Sequence, residues 1–316
     1  MQKDSKVQQI TNTILMIRPV AYRMNEQTAV NNYFQKEMNL SDAEINAKAQ
    51  QEFDAFVEKL RAVGVQVIVE NDILEMKTPD SVFPNNWVSF HENGEVALYP
   101  MFAENRRRER REDVLIRLEK EGFVIESLVD YSTAEDEELF LEGTGSLLLD
   151  RVNRKAYCAL SPRAHEDLII EFCEDFEYTP VIFTANQTIN NERLPIYHTN
   201  VLMALGEHIA VICLDTIDDK KEKKNIIGHL KEDGKEIVFI TETQMQQFAG
   251  NMLQVKGAND KRYMIMSTAA YKSLHSEQIS AIQKNSEIIY SDLATIETLG
   301  GGSARCMMAE VFLPRV

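Results

Sequence analysis

Apolar residues recur at three- and four-residue spacing over residues 42–63, 106–121, 163–176, 221–232 and 277–285, and each stretch predicts an amphipathic helix. Each is followed almost at once by a short run rich in β-branched and aromatic residues: VQVIVE from Val65, FVIESL from Phe123, YTPVIF from Tyr178, EIVFI from Glu236 and SEIIY from Ser286. The starts of these runs lie about 58, 55, 58 and 50 residues apart, so a unit near 55 residues recurs five times. Between successive helices come two further apolar runs parted by a polar or glycine-containing turn, as in GSLLLDRVNRKAYCAL and NVLMALGEHIAVICL, which read as hairpins. The unit is therefore strand, strand, helix, strand. Its terminal copies are as apolar as the middle ones, so five copies are expected to close into a ring, an α/β five-bladed propeller, rather than stack as a solenoid. No Pro/Gly/Ser-rich linker divides the chain, and residues 1–316 read as one domain.

Such a ring turns equivalent loop positions toward its axis. Counted from the end of each post-helix strand, 16, 14, 14, 11 and 16 residues lead to Asn86 in FPNNW, Glu142 in FLEGTGS, His198 in YHTN, Asn251 in AGNML and Cys306 in GGGSARC. These five loops should face one another.

Cys306 is the strongest candidate nucleophile. The GGGSA stretch before it supplies room and backbone N–H groups, although a glycine-rich turn into a last strand with an inert cysteine explains the local sequence equally well. His198 stands directly ahead of an apolar strand, and a lone histidine is more often structural; placed at the position equivalent to Cys306, it becomes a natural proton shuttle. Glu142, between apolar residues and Gly143, could orient His198 or hold a cationic or amide-bearing group, or simply mark a strand corner. Asn85 and Asn86 are turn formers by type, and Trp87 beside them walls a pocket or fills a core. The other histidines carry less: His91 and His208 read as hairpin turns, while His165 and His229 sit on charged helices without a second ligand at metal spacing. RRRERRED, from Arg106 to Asp113, reads as a solvated helix face laced with ion pairs, and the acidic run over residues 134–139 as a loop at the rim.

Charge narrows the partners. With 34 Lys and Arg against 50 Asp and Glu, the net charge of −16 makes nucleic acid and anionic membrane surfaces poor partners, and leaves small ligands and self-association open. No apolar run is long enough to span a bilayer and no signal-peptide core is present, so a cytoplasmic address is expected. Cys158, Cys173 and Cys213 lie in apolar segments as small buried hydrophobes, with no C-x-x-C pair or zinc spacing; no metal is expected.

FPNNW, EGTGS, HTN and a near-terminal GGGSARC, in this order on a fivefold strand-strand-helix-strand repeat, resemble the pentein superfamily of guanidine-modifying enzymes. That superfamily includes arginine deiminases, dimethylarginine dimethylaminohydrolases and amidinotransferases, and the nearest likeness is to bacterial citrulline-utilisation hydrolases. The resemblance implies a pentein-type catalytic domain over residues 1–316, with Cys306 as nucleophile, His198 as general acid and base, and Glu142 holding substrate head group and histidine. It makes Arg163 of LSPRAH the contact for a substrate carboxylate, and Asn85, Asn86 and Asn200 substrate-binding. No cofactor is implied. Asn86 stands where many relatives carry an aspartate, and Asn200 gives H-x-N in place of H-x-D. A carboxamide offers both donor and acceptor, which suits a neutral ureido group better than a guanidinium and points to citrulline as substrate. Arginine or dimethylarginine hydrolysis, amidino transfer and a non-catalytic binding role are the competing expectations.

Overall fold

The computed structural model describes residues 7–316, as mixed α/β structure with five three-stranded sheets and one separate hairpin, Asn186–Ile189 with Glu192–Pro195. Four of the sheets follow chain order: Val88–Phe90, Glu95–Leu98 and Ser127–Asp130; Leu147–Asp150, Lys155–Leu160 and Thr179–Thr184; Met203–Leu205, Ile209–Ile212 and Glu236–Phe239; Leu253–Lys256, Arg262–Ser267 and Glu287–Ser291. In each, the middle strand pairs antiparallel with the strand before it and parallel with the strand after the helix. The fifth sheet joins the chain ends: Thr13–Arg18 pairs parallel with Gln66–Asn71 and antiparallel with Ala309–Glu310. The post-helix runs of the sequence are thus the parallel outer strands, except that the run at Phe123 mostly precedes its strand, Ser127–Asp130. Among the described residues the sheets stay separate, and none closes on itself.

Helix Asp42–Ala62 shows how the sequence builds the connection. Ser41 and Glu44 form a capping box, in which the Ser41 hydroxyl accepts from the Glu44 N–H and the Glu44 carboxylate accepts from the Ser41 N–H. Ile45, Ala49, Phe53, Phe56, Val57 and Leu60 then line one buried face, each large side chain worth roughly 1.5–3 kcal/mol on burial. The core lies between neighbouring sheets: Leu15, Ile17 and Ile68 of the sheet that joins the chain ends pack with Trp87 and with Val88, Phe90 and Val96 of the Val88–Phe90 sheet, sealed by Val114 and Leu118. Trp87 is a core residue.

Two expectations change, and one helix is added. The helix expected over 106–121 is a 3-10 segment, Glu104–Glu109, followed by a helix, Glu112–Lys120. Arg106 and Glu109 face inward on the first segment, because a guanidinium and carboxylate can be buried when they neutralise each other in fork geometry, so this is no solvated face. The acidic run is also ordered, as a 3-10 helix Ser132–Glu137 whose Glu135 accepts from Arg110 and the Met101 N–H. Finally, a helix, Ala294–Gly300, runs into the glycines; Glu52 accepts from the N–H groups of Thr295 and Ile296 at its start. Gly301 ends it with a left-handed φ of 61°, a conformation that costs a residue with a Cβ. No helix among the described residues is long and apolar enough to cross a membrane.

Candidate active site

Each of the five loop residues stands in the short turn that enters the antiparallel strand of its sheet. Asn86 closes a 3-10 turn begun by Pro84, Glu142 and His198 stand at the N-caps of one-turn helices, and Asn251 and Cys306 precede strands at Leu253 and Ala309. The turns meet. His198 Nε2 lies 2.7 Å from Glu142 Oε2, and Asn200 Nδ2 and Asn251 Nδ2 donate to Cys306 Sγ at 3.4 and 3.2 Å. Cys306, His198, Asn86, Arg106, Arg163 and Asp80 line one tight, partly open pocket of about 240 Å³ counting the space at its mouth, together with Phe83, Tyr197, Gly300 and Gly302. Larger surface clefts exist, one of about 1270 Å³ beside Arg151, Arg154 and Phe312, but it is lined by no cysteine.

Glu142 is fully buried. Burial alone would raise its pKa, but the Arg163 charge, the His198 hydrogen bond and the Arg106 charge outweigh that and hold it well below the usual carboxylate range. Arg163 Nη1 and Arg106 Nη1 stand 3.4 and 3.7 Å from Oε2, and the Phe102 N–H donates to Oε1. Burial lowers His198 to about 4 against the pull of Glu142, with both arginines adding to the fall. At neutral pH the pair is therefore a carboxylate and a neutral imidazole. Glu142 can only accept, so Nε2 carries the ring proton and Nδ1 is the bare base. Gly145 makes this packing fit: a Cβ there would stand 2.5 Å from Asn86 Nδ2 and 2.8 Å from His198 Nδ1.

The charged groups are cross-braced. Arg106 grips Glu109 through two hydrogen bonds of 2.9 Å and donates to Asn86 Oδ1 at 2.8 Å. Arg163 is held by Asn31 Oδ1 and the Thr28 carbonyl, and stacks 4.9 Å from the Tyr197 ring. Asp80 Oδ2 accepts from Asn25 and Thr28, whereas its Oδ1 is buried without a partner. The segment from Asn25 to Gln35 thereby ties the arginines to the glycine-rich loop before Cys306, since Asn32 donates to the Gly300 carbonyl and Gln35 to that of Leu299.

The structure brings together Cys306, His198, Glu142, Asn86, Asn200 and Arg163. Asn85 stays behind them: its Oδ1 accepts from Asn86, its Nδ2 has no partner, and it does not line the cavity. Asp80 and Arg106 were missed by sequence reasoning. Asp80 carried only a faint signal, an acid six residues ahead of Asn86 and two ahead of an apolar pair, and Arg106 none that set it apart from its charged neighbours. The glycines divide their roles, with Gly300 and Gly302 lining the cavity and Gly301 terminating the helix. Cys158, Cys173 and Cys213 are buried in the core, where burial pushes their thiols up.

A model of the family described as N,N dimethylarginine dimethylhydrolase, eukaryotic, matches residues 18–313. The chain belongs to that family. It is thereby a pentein, and the homologues found are hydrolases that act on guanidino C–N bonds. No curated protein matches it by sequence. Among solved structures it is similar to an arginine dihydrolase, ArgZ, from the ornithine-ammonia cycle in cyanobacteria, with a TM-score of 0.73 and 17% identity. That match covers 96% of this chain but 41% of the longer relative, whose isolated N-terminal domain, bound covalently to a reaction intermediate, is covered to 99% at a TM-score of 0.69. A dimethylarginine dimethylaminohydrolase in adduct with S-methyl-L-thiocitrulline matches at a TM-score of 0.64 and 14% identity, over 95% of this chain and 99% of that one. At such identities the likeness speaks for the fold. The pentein site of this chain rests on its own geometry.

Proposed function

We propose that this pentein hydrolyses a C–N bond of a ureido or guanidino amino acid through a covalent intermediate on Cys306, with citrulline as the favoured substrate. The observation that carries the reading is the pairing, at one pocket, of a sulfur that receives two carboxamide N–H groups with an imidazole oriented by a buried carboxylate. The arrangement of five like sheets, with the chain ends sharing one of them, supports a single catalytic domain whose blades surround a pseudo-fivefold axis.

The bare Nδ1 of His198 takes the thiol proton, and the Cys306 thiolate attacks the planar carbon of the head group. The imidazolium, stabilised by Glu142, returns that proton to the departing amine as the C–N bond breaks. Water then attacks the thiol-linked carbon, His198 takes its proton, and the C–S bond breaks to restore the thiol. For citrulline the amine that leaves is ornithine and hydrolysis of the thiol-linked carbamoyl group releases carbamic acid, which breaks down to carbon dioxide and ammonia. These steps call on no metal or organic cofactor. Arg163 and Arg106 supply the positive charge for a substrate carboxylate, and Asp80 Oδ1 an acceptor for an ammonium.

Neutral carboxamides at the sulfur, Asn200 and Asn251, favour a ureido head group. Arginine is the second reading, favoured by the unpartnered Asp80 oxygen, which would equally accept a guanidinium. A cytoplasmic setting is consistent with either substrate. The test is a panel of citrulline, arginine, methylarginines and agmatine with products identified by mass spectrometry. Citrulline should yield ornithine and ammonia; faster consumption of arginine would replace it, and turnover by Cys306→Ala would end the covalent mechanism. Binding without any turnover would favour a non-catalytic role.

A further inference from the structure

We infer that Asn251 is a catalytic residue, whose side-chain N–H stabilises the Cys306 thiolate both before attack and when sulfur leaves the intermediate. The inference rests on Cys306 being the nucleophile proposed above.

Three contacts fix the amide and leave it no freedom to turn. Asn251 is fully buried. Its Oδ1 accepts from the backbone N–H of Arg305 at 2.9 Å, and its Nδ2 donates to the Asn200 carbonyl at 3.0 Å and to Cys306 Sγ at 3.2 Å. Rotating the amide by half a turn would set Nδ2 against the Arg305 N–H and Oδ1 against the Asn200 carbonyl, so both backbone partners would be mismatched. The oxygen is therefore committed to the residue next to the nucleophile, and one N–H is committed to the sulfur. Asn200 is different: its Nδ2 stands 3.4 Å and its Oδ1 3.7 Å from Sγ, so it can serve a thiol as acceptor or a thiolate as donor. Asn251 can only donate.

A donor fixed on sulfur discriminates between its states. A thiolate is a strong acceptor and a thiol or thioether a weak one, so the contact strengthens when the proton leaves Cys306 and weakens when the C–S bond forms. It strengthens again when water attacks the thiol-linked carbon and the bond's electron pair returns to sulfur. The group is in place before either step, so no reorganisation is required as charge develops.

Asn251→Asp keeps the acceptor for the Arg305 N–H and removes the donor, whereas Asn251→Ala removes both. The experiment follows alkylation of Cys306 by iodoacetamide as a function of pH in the full-length wild type and both variants, together with intact-mass detection of covalent intermediate during turnover. Both variants should alkylate at least about tenfold more slowly near neutral pH, reach the wild-type rate at a pH high enough to ionise any thiol, and accumulate intermediate. A purely structural role would instead depress the alkaline plateau. If Asn251→Asp does not fold, Asn251→Ala carries the test. Wild-type alkylation profiles in the folded variants would overturn the inference while leaving the hydrolase reading intact. A shifted profile in a protein that turns over no panel substrate would uphold the donor and remove the proposed substrate class.

Discussion

The neutral state of His198 makes stability depend on pH by an amount that can be worked out. Burial lowers its pKa to about 4, while the same ring in the unfolded chain protonates near 6.5. Between those values the unfolded state binds a proton that the native state refuses. Stability through this residue is therefore complete above about pH 6.5, falls as pH drops toward 4, and levels off below it. This is the reverse of a histidine whose pKa is raised by a partner. Going from about pH 7.5 to about pH 4.5 removes roughly 2.5 kcal/mol through His198 alone. His91, also buried with its pKa pushed well down, acts in the same direction, so the wild-type slope alone does not isolate the residue. The comparison is urea denaturation of wild type and His198→Asn at the two pH values. The wild type should lose roughly 2.5 kcal/mol more than the variant over that interval. Equal losses would refute a neutral buried imidazole, and with it the role of Nδ1 as resting base.

Replacing Glu142 by Gln removes the only carboxylate within salt-bridge distance of Arg163 among the described residues. Urea denaturation should show a loss of about 3–5 kcal/mol from an uncompensated buried charge, and steady-state kinetics a fall in kcat of about 10²- to 10⁴-fold. Asp80→Asn weakens the acceptor proposed for a substrate ammonium; KM should rise about 10- to 100-fold with kcat little changed, as read from initial rates. If kcat falls instead and KM holds, Asp80 serves the chemistry and not binding.

Much of the fold was legible because the apolar rhythm is a backbone-level signal. The post-helix runs at Val65, Tyr178, Glu236 and Ser286 became parallel outer strands and the run at Phe123 leads into the fifth; their β-branched and aromatic content marks them although many of their residues are exposed or half-buried. Arg106 shows where that signal stops. Its burial is decided by Glu109 three residues on and by Asp80 and Glu142 from distant segments, and no local pattern separates it from exposed Arg108. The helix Ala294–Gly300 was hidden for a related reason: its start is capped by Glu52, a residue remote in sequence.

The same division runs through the candidate site. Asn86, Glu142, His198, Asn251 and Cys306 each stand two to five residues ahead of a strand that opens the antiparallel pair of its sheet, so counting along the repeat finds them whatever their identity. Asp80, Arg106 and Asn31 lie inside connections whose length and structure differ from unit to unit, so no period points to them. On the proposed reading, the repeated positions hold the groups that make and break bonds, and the non-repeating connections hold the charges that select the substrate's ends. A change of substrate among penteins then requires changes in the connections around residues 25–36, 78–83 and 104–109, while the Cys306, His198 and Glu142 turns stay fixed by the register of their sheets. Exchanging Asp80 and Arg106 should therefore redirect specificity without abolishing alkylation of Cys306, whereas no exchange confined to those connections should restore turnover to Cys306→Ala.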